Sequence, residues 1–315
     1  MDNPIHIAFC VNDGYVPYML VAITSIIDNN LSNEINIHIL TDYISPQMQA
    51  RIGAVIAGSP NVSYRIYTVK DERLKGLFLN HWAIYTWYRV LLSEILPISI
   101  HRVLYLDADT LVLGNLQALF NIDMEGESVA GTTDVYIDGK CDRLKYPKDK
   151  GYICAGVLMM NLDYWRDNNL TEELLLWAKG HNAILRMPDQ DTINVICQDT
   201  KVILPLKYGI QKCFFIDEQY YHNPKLAREL KDCIEQPVII HFAGSAPWYK
   251  EIAFHPFQKD WENYNNRVVP SVKMKYMTKG WARIKMHIWY TLHPHKKDTI
   301  ISKSEILQRL TDHVI

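Results

Sequence analysis

The sequence predicts an α/β domain built on a central, mainly parallel sheet with helices on its faces. Three observations carry this. Short apolar runs alternate with helix-length runs through the first hundred residues. Residues that start and stop helices separate them. The most apolar run then ends on acids, where such sheets present their carboxyl ends to ligands.

"IHIAFCV" (5–11) reads as a short buried strand and "YVPYMLVAITSIID" (15–28) as a helix. "INIHILT" (35–41) is a second strand. "SPQMQARIGAVIAG" (45–58) is a second helix, with Ser45 as N-cap, Pro46 at the first helical position and Gly58 at its close. "VSYRIYTV" (62–69) is a third strand, "WAIYTWYRVLLSEIL" (82–96) a third helix and "RVLYLDA" (102–108) a fourth strand. From about 120 to 265 the pattern is less regular, with strands expected at "GVLMMNL" (156–162) and "PVIIHFAG" (237–244). No internal repeat or low-complexity tract is visible.

Of the 315 residues 48% are apolar and 22% charged, so a sizeable core is expected. A net charge of −2 makes no general electrostatic case for nucleic acid. The start, "MDNPIHIAFCVNDGY", lacks a basic stretch followed by a long apolar one, so no signal peptide is expected. No window of about 18 apolar residues predicts a spanning helix. Six scattered cysteines without a CxxC pair argue against a zinc cage or a disulfide framework and fit a reducing cytoplasm.

The chemistry centres on "LYLDADTLVLGNL" (104–116). At alternating strand positions Asp107 and Asp109 would face one point. Two unpaired carboxylates that close repel, and a divalent cation such as Mg²⁺ or Mn²⁺ removes the conflict. The plainer alternative has one Asp capping a turn and the other paired with an arginine. Two enzyme classes use such a pair. "DADTL" fits the DxDxT nucleophile of haloacid-dehalogenase-like phosphatases, but no later "DD" or "GDxxxD" follows. The other class is the nucleotide-sugar glycosyltransferases, where DxD holds a metal on the diphosphate.

"FCVNDGY" (9–15), "LYLDADTLVLGNL", "CAGVLMMNLDYWR" (154–166), "PDQDTIN" (188–194) and "HFAGSAPW" (241–248) occur in this order, and together they resemble family 8 glycosyltransferases over roughly residues 5 to 262. The family includes bacterial lipopolysaccharide galactosyl- and glucosyltransferases and glycogenin. The resemblance implies a GT-A fold, a UDP-sugar donor, Mn²⁺ and retention of anomeric configuration. It implies metal binding by Asp107, Asp109 and His241, with Ala108 between the acids. It places Asn12 and Asp13 in the uridine-binding turn, Arg89 and Asp134 against the donor, Asp189 and Gln190 beside the reacting carbon, and Gly244 close to the diphosphate. Each has a plainer reading: a strand histidine, an N-D-G turn, a solvated helix cation, a loop acid, or a helix start with Asp189 as N-cap. Two departures stand out. The family's lysine before Pro-Trp is missing, and Lys250 is the candidate substitute. Cys154 stands where relatives commonly carry asparagine near the sugar. The donor expected is UDP-galactose or UDP-glucose, and the acceptor a saccharide or lipid-linked saccharide. A non-catalytic nucleotide-sugar-binding relative is the alternative.

The division expected is a catalytic domain over 1–265 and a basic, aromatic helical tail over 266–315. From Arg267 to Lys297 there are eight lysines and arginines and no acid. Met274, Met277, Trp281, Ile284 and Ile288 recur at helical spacing. This reads as a helix on an anionic membrane surface, or one packed back on the domain. The first choice puts the protein in the cytoplasm, peripheral to the inner face of the membrane.

Overall fold

The computed structural model describes residues 4–79, 83–134, 137–244, 246–250, 255–276 and 302–313. The first half alternates as expected: β1 (Ile5–Cys10), α1 (Val16–Asn29), β2 (Ile35–Thr41), α2 (Pro46–Ile56), β3 (Val62–Thr68). Ser45 caps α2, its side chain accepting the Met48 N–H at 3.3 Å, with Pro46 opening the helix. The expected third helix differs. Residues Ile84–Leu91 form a 3-10 helix, and α3 proper is only Leu92–Ile95. Aromatic and β-branched residues there are weak α-formers. Trp87 and Arg89 are also committed elsewhere: Trp87 Nε1 donates to the Phe78 carbonyl at 3.1 Å and Arg89 to that of Ala155 at 2.5 Å.

β4 (Arg102–Leu106) is followed by β5 (Thr110–Val112), α4 (Gln117–Phe120), β6 (Val129–Thr133), α5 (Ile137–Leu144), β7 (Ile153–Asn161), α6 (Leu162–Asp167), α7 (Leu170–His181), α8 (Pro188–Ile196), β8 (Lys201–Leu204), α9 (Gln219–His222), α10 (Pro224–Glu235), β9 (Ile239–His241) and α11 (Gln258–Asn265). The main sheet runs β3-β2-β1-β4-β7-β6-β8. Its pairings are parallel except those of β7, which runs against both β4 and β6. β7 begins three residues before the expected start, and residues 153–160 are all buried. One core packs α1 against the sheet and a second packs Trp87, Leu91, Leu92 and Trp165 on the opposite face. Each such aliphatic side chain contributes roughly 1.5–3 kcal/mol on burial.

The reversal of β7 builds the site. It carries the start of β7, Cys154–Gly156, to the carboxyl end of β4. The small β5–β9 sheet adds the end of β9, with Thr110 opposite His241.

Beyond 265, Val268, Val272, Ile306 and Leu310 are buried in the same core as α1 and β2. A C-terminal helix, Lys303–His313, lies against α9 and α10. Arg309 pairs with Glu218 at 2.5 Å, and Lys303 with Asp260 at 2.9 Å. Of the expected amphipathic stripe, Met274 packs on the core, while Met277, Trp281, Ile284 and Ile288 lie outside the described residues. Among the described residues no helix is long and apolar enough to cross a membrane.

Candidate active site

The end of β1, the turn after β4, the start of β7, the first turn of α8 and the end of β9 line one cleft of about 520 Å³. Asn12, Arg89, Asp107, Ala108, Asp109, Cys154, Asp189, Gln190, His241 and Gly244 all face it. Asp13, Asp134 and Lys250 are not among its walls.

The aspartates meet for a different reason from the one expected. β4 stops at Leu106, and residues 107–109 form a turn rather than strand. The Asp107 carbonyl closes it, accepting from the Thr110 N–H at 3.2 Å and Oγ1 at 2.8 Å. The ladders then fix both acids. The Asp107 N–H donates to the Gly156 carbonyl at 2.8 Å, and the Phe242 N–H to the Asp109 carbonyl at 3.0 Å. His241 Nε2 lies 3.7 Å from Asp107 Oδ2 and 3.5 Å from Asp109 Oδ1. One ligand atom from each of the three residues falls within 4.8 Å of the others.

Two oxygens and an imidazole nitrogen suit Mn²⁺ or Mg²⁺. Two further observations fit a cation there. Burial disfavours a charged His241, yet the neighbouring Cys154 and Asp109 more than offset this and push its pKa well above the usual value. The pocket therefore draws positive charge to this point. Gly156 also leaves room: an added Cβ would stand 2.5 Å from His241 Nε2 and 2.7 Å from Asp107 Oδ2. Gly156 sits inside a motif singled out from sequence, but its own role was missed. The signal was a glycine within an apolar strand, which marks close approach.

Arg89 is buried rather than a solvated helix cation. It donates to Asp107 Oδ1 at 3.1 Å and lies over the Tyr105 ring at 4.1 Å. Burial alone would lower its pKa, but Asp189, Tyr105 and Asp107 hold it above its ordinary value. Tyr105, also missed from sequence, gives its hydroxyl proton to Asp107 Oδ1 at 2.5 Å. Asp189 Oδ2 lies 3.0 Å from Arg89 Nε as an ion pair without hydrogen-bond alignment, so this buried oxygen has no hydrogen-bond partner. Burial raises the Asp189 pKa to about 6, against the pull of Arg89.

Gln190 is held from both sides. Its Oε1 accepts from the Ala155 N–H at 2.9 Å, and its Nε2 donates to Asp134 Oδ2 at 2.7 Å. Asp134 thus stands behind Gln190, bridged to Lys140 at 2.5 Å. The N-cap of α8 is Met187, not Asp189. Asp191 instead takes the free amides of the helix start, accepting from Arg186 N–H at 2.8 Å and Met187 N–H at 2.9 Å.

Asn12 caps the turn after β1, accepting from the Tyr15 N–H at 3.0 Å, and Asp13 accepts from the Ser45 N–H at 2.7 Å. Gly244 has φ +67°, a left-handed conformation that favours glycine, and a Cβ there would meet open space. Lys250 Nζ rests 4.9 Å from the Tyr276 ring centre. Among the described walls, three carboxylates therefore face one arginine and no lysine.

The profile described as "Glycosyl transferase family 8" matches residues 6–251. The lipopolysaccharide 1,2-glucosyltransferase of Escherichia coli K12 is 27% identical over 78% of this chain and 73% of its own length. The lipopolysaccharide 1,3-galactosyltransferase of Salmonella typhimurium is 25% identical over 78% of this chain and 73% of its own. The solved galactosyltransferase LgtC, in complex with donor and acceptor sugar analogues, superposes with a TM-score of 0.73 at 22% identity, covering 89% of this chain and 99% of LgtC. That likeness establishes a GT-A type fold. The profile match separates the two enzyme classes that the aspartate pair had left open. The chain belongs to glycosyl transferase family 8.

Proposed function

We propose that the protein is a metal-assisted, retaining hexosyltransferase that moves glucose or galactose from a UDP-sugar to a bacterial surface glycan or lipid-linked saccharide. The observation that carries this reading is the charge balance of the cleft: two carboxylates, Asp107 and Asp109, converge with His241 where this reading puts a dianionic diphosphate, and a divalent cation reconciles them. Asp107, Asp109 and His241 would hold Mn²⁺ or Mg²⁺ there, and the ion would supply Lewis-acid neutralisation of the departing diphosphate. The two named lipopolysaccharide enzymes among the relatives support glucose or galactose as the sugar.

Gln190 is a neutral amide, already engaged by Ala155 and Asp134, and so is a poor nucleophile. This favours attack from the leaving-group face over a covalent intermediate on that side chain. Gln190 lies along the reacting face, Asp189, held by its ion pair with Arg89, orients a sugar hydroxyl, and Asp134 positions Gln190. Asn12 and Gly244 bound the nucleotide end. The run of cations between Arg267 and Lys297 supports a place at the cytoplasmic face of a membrane carrying the acceptor.

A second reading is favoured by one observation. Arg89, the one Lys or Arg among the described walls, is engaged by Asp107 and Asp189, which suits a nucleotide-sugar-binding protein without turnover. UDP release from a panel of UDP-sugars, without acceptor and with Mn²⁺, Mg²⁺ or EDTA, separates the two. Slow metal-dependent release from UDP-glucose or UDP-galactose supports the transferase. UDP binding without release from any donor, in the presence of candidate acceptors, supports the second reading.

A further inference from the structure

The family match ends at residue 251, yet one wall of the cleft is tied down by a segment beyond it. Trp248 and Tyr249 face the cleft together with Tyr15. The Lys275 N–H donates to the Trp248 carbonyl at 2.7 Å, and the Lys250 N–H to the Lys275 carbonyl at 3.0 Å, so residues 248–250 and 275 form a short parallel bridge. Lys275 Nζ reaches the Tyr18 hydroxyl at 2.5 Å. The Tyr18 ring stacks on Trp248 with centroids 3.8 Å apart, and Tyr15 packs edge-on to both rings, at 5.4 Å from Tyr18 and 6.2 Å from Trp248. Upstream, the Asn265 side chain exchanges two hydrogen bonds with the Val272 backbone, at 2.9 and 2.7 Å, and Arg51 donates to the Pro270 carbonyl at 2.7 Å. Val272 is buried in the main core.

We propose that residues 270–276 act as a strap that positions the Tyr15–Trp248–Tyr249 wall of the nucleotide-sugar cleft, with Lys275 as the positioning residue. The argument is one of connection. Residue 245 and residues 251–254, on both sides of the wall, fall outside the described set; among the described residues, 246–250 are held by the strap, by Gln258, by the aromatic stack and by core packing, with the Trp261 ring centre 6.3 Å from that of Trp248. Gln258 Nε2 donates to the Pro247 carbonyl at 3.0 Å, and the strap supplies the two bonds on the Trp248–Lys250 backbone. The same Lys275 grips Tyr18 in α1, one turn from Tyr15. A single residue thereby sets the spacing between the two sides of an aromatic wall.

This inference rests on the nucleotide-sugar reading, and the test keeps the two apart. In Lys275→Pro the N–H that binds Trp248 is gone. In Lys275→Met the bridge remains and the Tyr18 contact is lost. Two readouts are taken on the full chain: UDP affinity by calorimetry with Mn²⁺, and hydrogen exchange of peptides spanning 246–250 and 15–18, with thermal melting as the control for global stability. The expected result for Lys275→Pro is about a tenfold or greater loss of UDP affinity, faster exchange in both peptides and a nearly unchanged melting temperature. Lys275→Met should show a smaller loss of affinity and faster exchange in 15–18. Unchanged affinity and exchange in Lys275→Pro overturn the strap. If Lys275→Pro does not fold, Lys275→Met decides on the same two readouts. If the wild type binds no UDP, the nucleotide-sugar reading falls, and exchange alone decides the strap.

Discussion

His241 occupies the space that a side chain at position 156 would need: a Cβ on Gly156 would stand 2.1 Å from the His241 Cε1. Backbone holds both partners, since Gly156 is fixed by the Asp107 N–H and His241 by the carbonyl of Ile210 at 2.9 Å. Gly156→Ala must therefore displace the imidazole. The expected outcome is a loss of Mn²⁺ affinity of about 10–100-fold, the range seen when a ligand's supporting contacts are removed, with most of the fold retained. Titration of free Mn²⁺ by electron paramagnetic resonance, beside a circular dichroism spectrum, checks it.

Cys154 Sγ lies 3.5 Å from His241 Nδ1. If Nε2 ligates, Nδ1 carries the proton and the sulfur accepts it. Cys154→Ala removes that acceptor and should weaken Mn²⁺ binding roughly tenfold, while Cys154→Ser restores most of it. Equal Mn²⁺ affinity in all three proteins would remove Cys154 from the account.

Asp191 is fully buried and takes five hydrogen bonds: two from Arg143 at 2.8 and 3.0 Å, one from the Tyr152 hydroxyl at 2.6 Å and two from the amides that open α8. Asp191→Ala strands the Arg143 guanidinium and uncaps the helix that presents Asp189 and Gln190. Breaking such a buried pair costs about 3–5 kcal/mol. Urea denaturation should show that loss, and transfer activity should fall even in the folded fraction.

Acid should destabilise the fold through buried neutral histidines. Burial among Phe215, Phe242 and Phe257 lowers the His255 pKa to about 3, and burial followed by His6 and Arg65 lowers that of His38 to about 4. His255 Nδ1 accepts the Phe257 N–H at 3.2 Å, which requires the neutral ring. Because both folded values lie below the unfolded 6.5, the unfolded chain binds more protons between them. The stability they contribute is complete above pH 6.5 and is lost as pH falls toward 4, by roughly 1.4 kcal/mol per pH unit for each group. Asp189, raised to about 6, acts in the opposite sense over 6 to 3.8 and offsets part of the loss. Melting temperatures from pH 7 to 4 should fall, and less steeply in His255→Gln.

Much of the frame was legible because it is local. The first four strands show as apolar runs, and Ser45-Pro46 marks the start of α2 from residue chemistry alone. What escaped depends on distant partners. The run 84–91 has helical spacing, but Trp87 and Arg89 are drawn into tertiary bonds, and the backbone tightens to a 3-10 helix. The strand expected from Gly156 starts earlier, taking in Cys154 and Ala155, because β6 pairs back as far as Thr133 opposite Ile153. The pair Asp107 and Asp109 was found, but by strand alternation, whereas a turn and two backbone bonds set it. The plainer alternative for Asp189, an N-cap after Pro188, fails because Asp191, two residues further on, has the amides within reach.

The most direct test of the central claim is UDP affinity measured by calorimetry in the wild type and in Asp107→Ala, each with Mn²⁺ and with EDTA. The account predicts that Mn²⁺ strengthens UDP binding to the wild type about tenfold or more, and that Asp107→Ala abolishes the gain while remaining folded. Equal UDP affinity with Mn²⁺ and with EDTA, or a full Mn²⁺ effect in Asp107→Ala, would contradict it.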